Sequence, residues 1–413
     1  MANTSIWIAR RLSSDRKATP CTGNIIAVLG VAFAVAVMEI TVAVAVGFKN
    51  EITSNLKGFV ADVTITRAAQ ALESEGDVIE FTDSFENYIR SVLPAAEIVP
   101  VVTLNGIVKT DNDFAALALK GYEDNYKADF QKGKLVRGSW LDANTLRPIV
   151  LSESVAESLG LDIGQKVNVC FITDGRVKAR PFNITGLYRT GFSDYDNVMS
   201  FVRSDDLRKV IGIEADNVTS VELRGIPLQQ IDEQAALLDG ALADIPIRDG
   251  RGDGYYKTET LTHQGAVFLN WLSLLDTNVV VIFILMSLVA ISTLISSLFI
   301  QVLDKVNAIG LFRAIGSPDN VLSNIFVYLS LRLTAWGIVL GNLLGLGLIF
   351  IQKNFSLLKL DPEMYYVDSV PVEPTLQSII WINIGVIAVS WLILILPARI
   401  ATRLSPAKTL RFE

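Results

Sequence analysis

The chain of 413 residues is poor in the groups that carry out bond chemistry. It has one histidine, His263, and two cysteines, Cys21 and Cys170. Two thiols exclude a disulfide scaffold, and with a single imidazole they do not make a zinc site. The phosphate-cradling G-x-x-x-x-G-K-[ST], the nucleophile elbow G-x-S-x-G and the metal-binding H-E-x-x-H are all missing. Charge is scarce as well: 19% of residues are Asp, Glu, Lys or Arg, against about 25% in an average soluble domain. The net charge of −7 disfavours a general nucleic-acid binder. This composition points to a chain that does no catalysis of its own.

What is abundant is apolar. Such residues make up 51% of the chain and the mean hydropathy is +0.41, which rules out a disordered chain and argues against a purely soluble one. A bilayer core needs about 20 apolar residues as helix. Four segments supply them, at 25–48, 278–300, 325–351 and 379–397. The first is too long for a signal-peptide core and has no A-x-A cleavage pattern after it, so it reads as a retained span.

Lys and Arg in the short flanks set the orientation. Residues 1–24 carry Arg10, Arg11, Arg16 and Lys17; residues 398–413 carry Arg399, Arg403, Lys408 and Arg411. Both ends are therefore expected in the cytoplasm, which an even number of spans satisfies. Segment 49–277 and loop 352–378 then lie outside, and loop 301–324 lies inside. The 49–277 segment carries a net −11 and leaves a basic inner rim. Residues 1–24 read as an interfacial helix with Trp7 at headgroup depth, and 398–413 as a cytoplasmic tail. Cys21 and Cys170 fall on opposite sides and cannot pair; Cys170 reads as a lone buried thiol.

The outside segment mixes periodicities and reads as α+β. Strands are expected at 62–66 and 114–121, and helices at 84–92 and 228–242. Segment 98–109 reads as two strands joined by a turn at Asn105 and Gly106. Next come a strand at 148–151, a helix capped by Ser152 and stopped by Gly160, a strand at 166–171, a turn at Asp174 and Gly175, and a return strand at 182–188. Arg176, Lys178 and Arg180 concentrate positive charge on the hairpin 171–180. This is either an arm that docks an acidic partner or an edge strand blunted by charge.

In the inside loop, Ile309, Phe312 and Ile315 recur at helical spacing beside Lys305 and Arg313. Such a short amphipathic helix lies on lipid or inserts into a partner's groove. The third span places Gly337, Gly341 and Gly345 on one helical face, a ridge for close helix packing within the chain or in a dimer. Glu39 and Arg332 are intramembrane charges.

The layout of one span, a large outside domain, three spans and an amphipathic inside loop resembles the permease superfamily of mechanotransmitting ABC transporters, which includes macrolide-exporter and cell-division permeases. Asn307, Ala308, Ile309, Gly310, Leu311, Phe312 and Arg313 resemble its coupling helix, whose usual pattern is R-E-I-A-I-L-R-A-L-G; Val306 and Asn307 stand where Arg-Glu is common. Within the superfamily the chain is most similar to the lipoprotein-releasing (Lol) permeases. Residues 42–51 resemble their V-x-N-G-F-x-x-E, with Val46 in place of Asn. Residues 365–372 (YYVDSVPV) resemble their loop before span four. Residues 396–401 resemble Y-P-A-R-R-A-A, and 405–413 resemble D-P-A-E-A-L-R-Y-E.

The resemblance implies an α-helical membrane protein of four transmembrane helices, with a large extracytoplasmic α+β domain between helices one and two. It implies a non-catalytic inner-membrane subunit with no cofactor of its own, ATP being bound by a cytoplasmic ATPase dimer. A second permease chain, identical or paralogous, would complete the complex in the membrane lipid. The complex would extract acylated lipoprotein cargo and pass it to a periplasmic carrier. Met38, Val42, Val46, Phe283 and Met286 would line a cavity for the acyl chains, and the 171–180 hairpin would dock the carrier. An exporter of periplasmic peptides or drugs shares this architecture, and a scaffold that activates a cell-wall hydrolase is the other alternative.

Overall fold

The structure, a computed structural model, describes residues 22–69, 78–110, 113–123, 126, 133–141, 144–173, 175–243, 245, 254–304, 311 and 315–401. The expected interfacial helix at 1–24, with Trp7 and Cys21, lies almost wholly outside these residues, as does the tail from 402 onward. The chain divides into a helical unit (1–50, 272–359 and 369–413) and a sheet unit (51–271 and 360–368).

Long helices of Val, Ala, Ile and Leu build the helical unit. Three of them, Thr22–Phe59, Ala266–Asp304 and Asp319–Phe355, are long and apolar enough to cross a bilayer. The fourth is Leu376–Ala401, whose described apolar stretch, Leu376–Leu392, is shorter. Among the described residues, three helices rather than four therefore meet the length expected of a span. The helices overrun the apolar runs because backbone hydrogen bonding continues through the polar residues at their ends. The second long helix exposes Val280, Ile284 and Leu288 by more than half, as a lipid-facing helix does. Behind them Val31, Val35, Met38, Leu294, Leu298, Phe326, Ile382 and Val386 form the core of this unit.

Twelve strands are described in the sheet unit: β1 Val63–Ala69, β2 Ile79–Glu80, β3 Glu97–Lys109, β4 Phe114–Tyr122, β5 Leu135–Gly138, β6 Pro148–Ser152, β7 Lys166–Thr173, β8 Arg176–Tyr188, β9 Met199–Arg203, β10 Asn217–Val218, β11 Ser220–Arg224 and β12 Gly254–Thr260. Ten form one mixed sheet ordered β12-β1-β11-β3-β4-β9-β6-β8-β5, with β7 pairing β3 and β8; β2 and β10 pair separately. Ser152 caps the helix Glu153–Leu159 by accepting the Val155 N–H at 3.1 Å, and left-handed Gly160 ends it.

Three sequence readings change. Asn105 and Gly106 do not turn: β3 runs straight through them, with Gly106 opposite Leu117 on β4 and Phe171 on β7. A Cβ at Gly106 would lie 2.7 Å from the Val169 side chain and 3.0 Å from that of Phe171, so the glycine serves close packing. The reversal comes later, where the Thr110 N–H donates to the Asp113 carbonyl at 2.9 Å. The return strand β8 begins at Arg176, not at 182. Cys170 is a free thiol on β7, half-buried rather than buried.

The first long helix ends inside the sheet unit, where its last carbonyls need partners. Buried Lys120 donates to the Phe59 carbonyl at 2.8 Å, and Arg224 donates to the Lys57 carbonyl at 2.7 Å. Both cations pair with buried Glu222, Lys120 in a short contact and Arg224 through Nη2 at 2.8 Å and Nε at 3.1 Å. Positive charge at a helix C-terminus also meets the negative end of its dipole. Lys57 adds an ion pair to Asp62 at 2.6 Å, and Asp62 accepts the Ile226 N–H at 2.9 Å. Burial pushes the Glu222 carboxyl up, but Lys120 and Arg224 outweigh it and hold the group below the usual carboxylate range.

Glu222→Gln leaves buried Lys120 and partly buried Arg224 short of their counter-charge, a change that costs about 3–5 kcal/mol. Calorimetry of the detergent-solubilised chain should show the melting temperature of the sheet unit lowered by roughly 10 °C. Glu86→Gln, which breaks only the exposed Arg90–Glu86 pair, should leave it nearly unchanged. The Glu222 contribution is complete above its unfolded-state value of ~4.3 and is lost as pH falls through the lowered folded-state value.

Candidate functional site

A cavity of about 450 Å³ opens in the helical unit. Met38 and Val42 of the first long helix, Phe283 of the second, and Trp381, Ile382 and Val386 of the fourth line it. Of the five residues expected to line an acyl-chain cavity, Met38, Val42 and Phe283 are brought together here. Met286 packs against the core cluster beside the cavity, and half-buried Val46 lies one turn beyond Val42, off its wall. The wall from the fourth long helix is an addition. Gln377 and Ser378, at the start of its apolar run, and Ser390, within the run, line the cavity with it. Its volume falls within the 300–1,000 Å³ or so that small-ligand pockets occupy.

The glycine ridge of the third long helix faces the first. A Cβ at Gly337 would fall 2.7 Å from Val31 Cβ, at Gly341 2.8 Å from the Ala32 carbonyl oxygen, and at Gly345 2.6 Å from Glu39 Oε2. Only glycine allows this approach of the two backbones. Glu39 is 3% exposed, and neither of its carboxyl oxygens has a hydrogen-bond partner among the described residues. Asn342 and Asn383 exchange amide hydrogen bonds of 2.9 and 3.0 Å between the third and fourth long helices. In hydrocarbon such a reciprocal pair fixes helix register.

Two of the segments that carry the family resemblance meet in the helical unit. A Cβ at Gly47 would lie 2.5 Å from the Pro371 carbonyl oxygen. The Glu373 N–H donates to the Ala43 carbonyl at 2.9 Å, and Asn50 Nδ2 donates to Glu373 Oε2 at 2.5 Å. Gln352 braces the start of this loop, donating to the Leu358 and Val370 carbonyls at 3.3 and 3.1 Å. The middle of the loop belongs to the sheet unit. There Tyr366, in the left-handed region at φ 60°, packs 5.0 Å from Phe192 and edge-on to Phe268 at 5.3 Å. A bulky residue held at positive φ needs such packing to keep it there.

The remaining candidates lie apart. On the β7–β8 hairpin, Ile172 and Val177 are cross-strand partners and both exposed, and Arg176 beside them is exposed too. Lys178 donates to the Val210 carbonyl at 3.0 Å, and Arg180 to the neighbouring Ala179 carbonyl at 3.3 Å, so these two lie along the sheet unit. Of the coupling-helix residues, Leu311 is described and exposed; Asn307, Ala308, Ile309, Gly310, Phe312 and Arg313 lie outside the described residues. Lys120, Glu222 and Arg224 were not singled out from sequence; the available signal was a lone lysine in the apolar run of β4. Among the described residues, no three His, Cys, Asp or Glu side chains gather as metal ligands.

Comparison with known proteins covers almost the whole chain. The family described as MacB-like periplasmic core domain matches residues 25–233, half of the chain, and that described as FtsX-like permease C-terminal matches residues 280–406. The lipoprotein-releasing system transmembrane protein LolC of Xylella fastidiosa is 24% identical, over 94% of this chain and 93% of that protein. LolC of Neisseria meningitidis is 23% identical over the full length of both, and LolE of Haemophilus influenzae is 22% identical over 99% of both. Among solved structures, the extracellular domain of the ABC-type transporter YknZ from Gram-positive bacteria aligns with 48% of this chain at 15% identity and a TM-score of 0.33.

Gly341→Leu drives a side chain into the backbone of the first long helix and should cost about 1–3 kcal/mol or more. Gly347→Leu meets nothing within 4 Å and should cost little. Thermal melting of the two detergent-solubilised variants should separate them, with Gly341→Leu clearly the less stable.

Proposed function

The chain belongs to the MacB/FtsX-like family of ABC permeases, and on that premise we propose that it is the membrane subunit of a lipoprotein-releasing ABC transporter in the inner membrane. The end-to-end likeness to lipoprotein-releasing proteins carries this reading. The half-open apolar cavity supports it, because an acylated cargo needs such a surface when it leaves the bilayer. The fourth long helix acts as a fourth span, and both termini face the cytoplasm.

Energy enters from a separate cytoplasmic ATPase dimer that grips residues 307–313. The permease makes and breaks no bond, binds no cofactor and works as a pair with an identical or paralogous chain. Moving acyl chains out of a bilayer costs about 0.8 kcal/mol per CH₂, so a lipoprotein with three chains does not leave unaided. ATP-driven closure of the ATPases shifts the coupling helices, and the first long helix carries that movement toward the sheet unit that contains its last turns. A periplasmic carrier receives the cargo at the β7–β8 hairpin, where Ile172 and Val177 offer apolar surface beside Arg176.

Purification in mild detergent, with mass spectrometry of everything that co-elutes, tests the reading. An ABC ATPase and a triacylated protein are expected, and added carrier should be retained by the unaltered chain but not by Arg176→Glu. A co-eluting cell-wall hydrolase, or a transported peptide with no acylated protein, would overturn it.

A further inference from the structure

The geometry points to a resident lipid: we propose that the cavity between the first, second and fourth long helices holds one acyl chain of a membrane phospholipid, with its ester carbonyl at Gln377 and Ser378. The proposal goes beyond the release of cargo, which does not require it.

The cavity is open space on the fourth long helix. Gly385 lines it, and a Cβ there would meet nothing within 4 Å. No tight approach explains this glycine, unlike Gly337 or Gly341, and a helix interior disfavours glycine. Its effect is to leave room. An apolar void of about 450 Å³ does not stay empty in a packed protein, and hydrocarbon offers no water to fill it. At this depth the surrounding solvent is phospholipid acyl chain, which makes a phospholipid the occupant.

The dimensions agree. The lining on the fourth long helix runs from Gln377 to Ser390, about 20 Å at 1.5 Å per residue. One leaflet of a hydrocarbon core of ~30 Å is about 15 Å deep, so the slot takes a single chain from one leaflet. Its polarity is graded as well. Gln377 and Ser378, in the first turn of the helix, can both donate a hydrogen bond to an ester carbonyl. Beyond them the wall is mainly apolar, with Met38, Phe283, Ile382 and Val386 against the chain. A cargo chain that enters this slot exchanges hydrocarbon for hydrocarbon, so apolar contact gives it no advantage. Selection between lipids then falls to the polar mouth.

The test uses the full chain in phosphatidylethanolamine–phosphatidylglycerol vesicles containing a phosphatidylcholine with a diazirine in its acyl chain. After illumination, adducts are located by mass spectrometry. They are expected on the stretch 377–390 and should be lost in Gly385→Leu, which fills the slot from open space. Val389→Trp fills it from a second position and should act the same way, while Gly347→Leu, off the cavity, should keep the adducts. Adducts absent from 377–390, or unchanged by both filling substitutions, would overturn the proposal. So would labelling of that stretch by a photoactivatable triacylated lipopeptide but not by the phospholipid. Absence of phospholipid adducts from 377–390 of the unaltered chain, while a triacylated protein co-elutes with it, overturns the slot alone; adducts there with no triacylated protein co-eluting overturn the transporter reading alone.

Discussion

Two cations, buried Lys120 and partly buried Arg224, hold the end of the first long helix. Lys120 and Arg224 take the carbonyls of Phe59 and Lys57, which would otherwise end in an apolar interior with no partner. Glu222 offsets part of the cost by sharing its one negative charge between both cations in direct ion pairs. None of the three works alone: without Glu222 both cations lose their counter-charge, Lys120 in a buried position, and without the cations the helix end is unsatisfied. The clamp therefore behaves as one unit. It fixes where the chain leaves helix and enters β1, and hence the register of the strands that follow.

Along its apolar length the same helix is held differently. Lipid tails are as apolar as leucine, so no hydrophobic force draws membrane helices together. Close contact has to come from shape. Gly337, Gly341 and Gly345 let the third long helix approach the backbone at Val31, Ala32 and Ala36, and Gly30 receives Thr293 of the second. The Asn342–Asn383 pair adds direction between the third and fourth long helices. The first long helix thus contributes to both units of the chain, packed by glycines through one part and capped by charge at its end.

Local features were legible in the sequence. The apolar runs announced the long helices, the spacing of four announced the glycine ridge, and Ser152 with Gly160 marked both ends of a short helix. Features set by distant neighbours were not. Asn105 and Gly106 carry a turn signature, yet Val169 and Phe171, some sixty residues on, decide what Gly106 does. Lys120 meets Glu222 across about a hundred residues, and nothing near either one announces the pair. The wall of the cavity on the fourth long helix was hidden for another reason. Gly385 and Ser390 are ordinary residues in a span, and only the packed arrangement of three helices shows that they surround space.

The role proposed for the first long helix, continuous from Thr22 to Phe59, is to pass movement from the ATPase to the sheet unit that contains its last turns. A Gly-Gly-Gly insertion after Asn50 interrupts that helix where the two units divide. The direct measurement reconstitutes this variant with its ATPase in proteoliposomes and follows ATP hydrolysis and release of acylated protein together. Hydrolysis is expected to continue while release is lost. Release at the rate of the unaltered chain would show that the helix does not carry the movement.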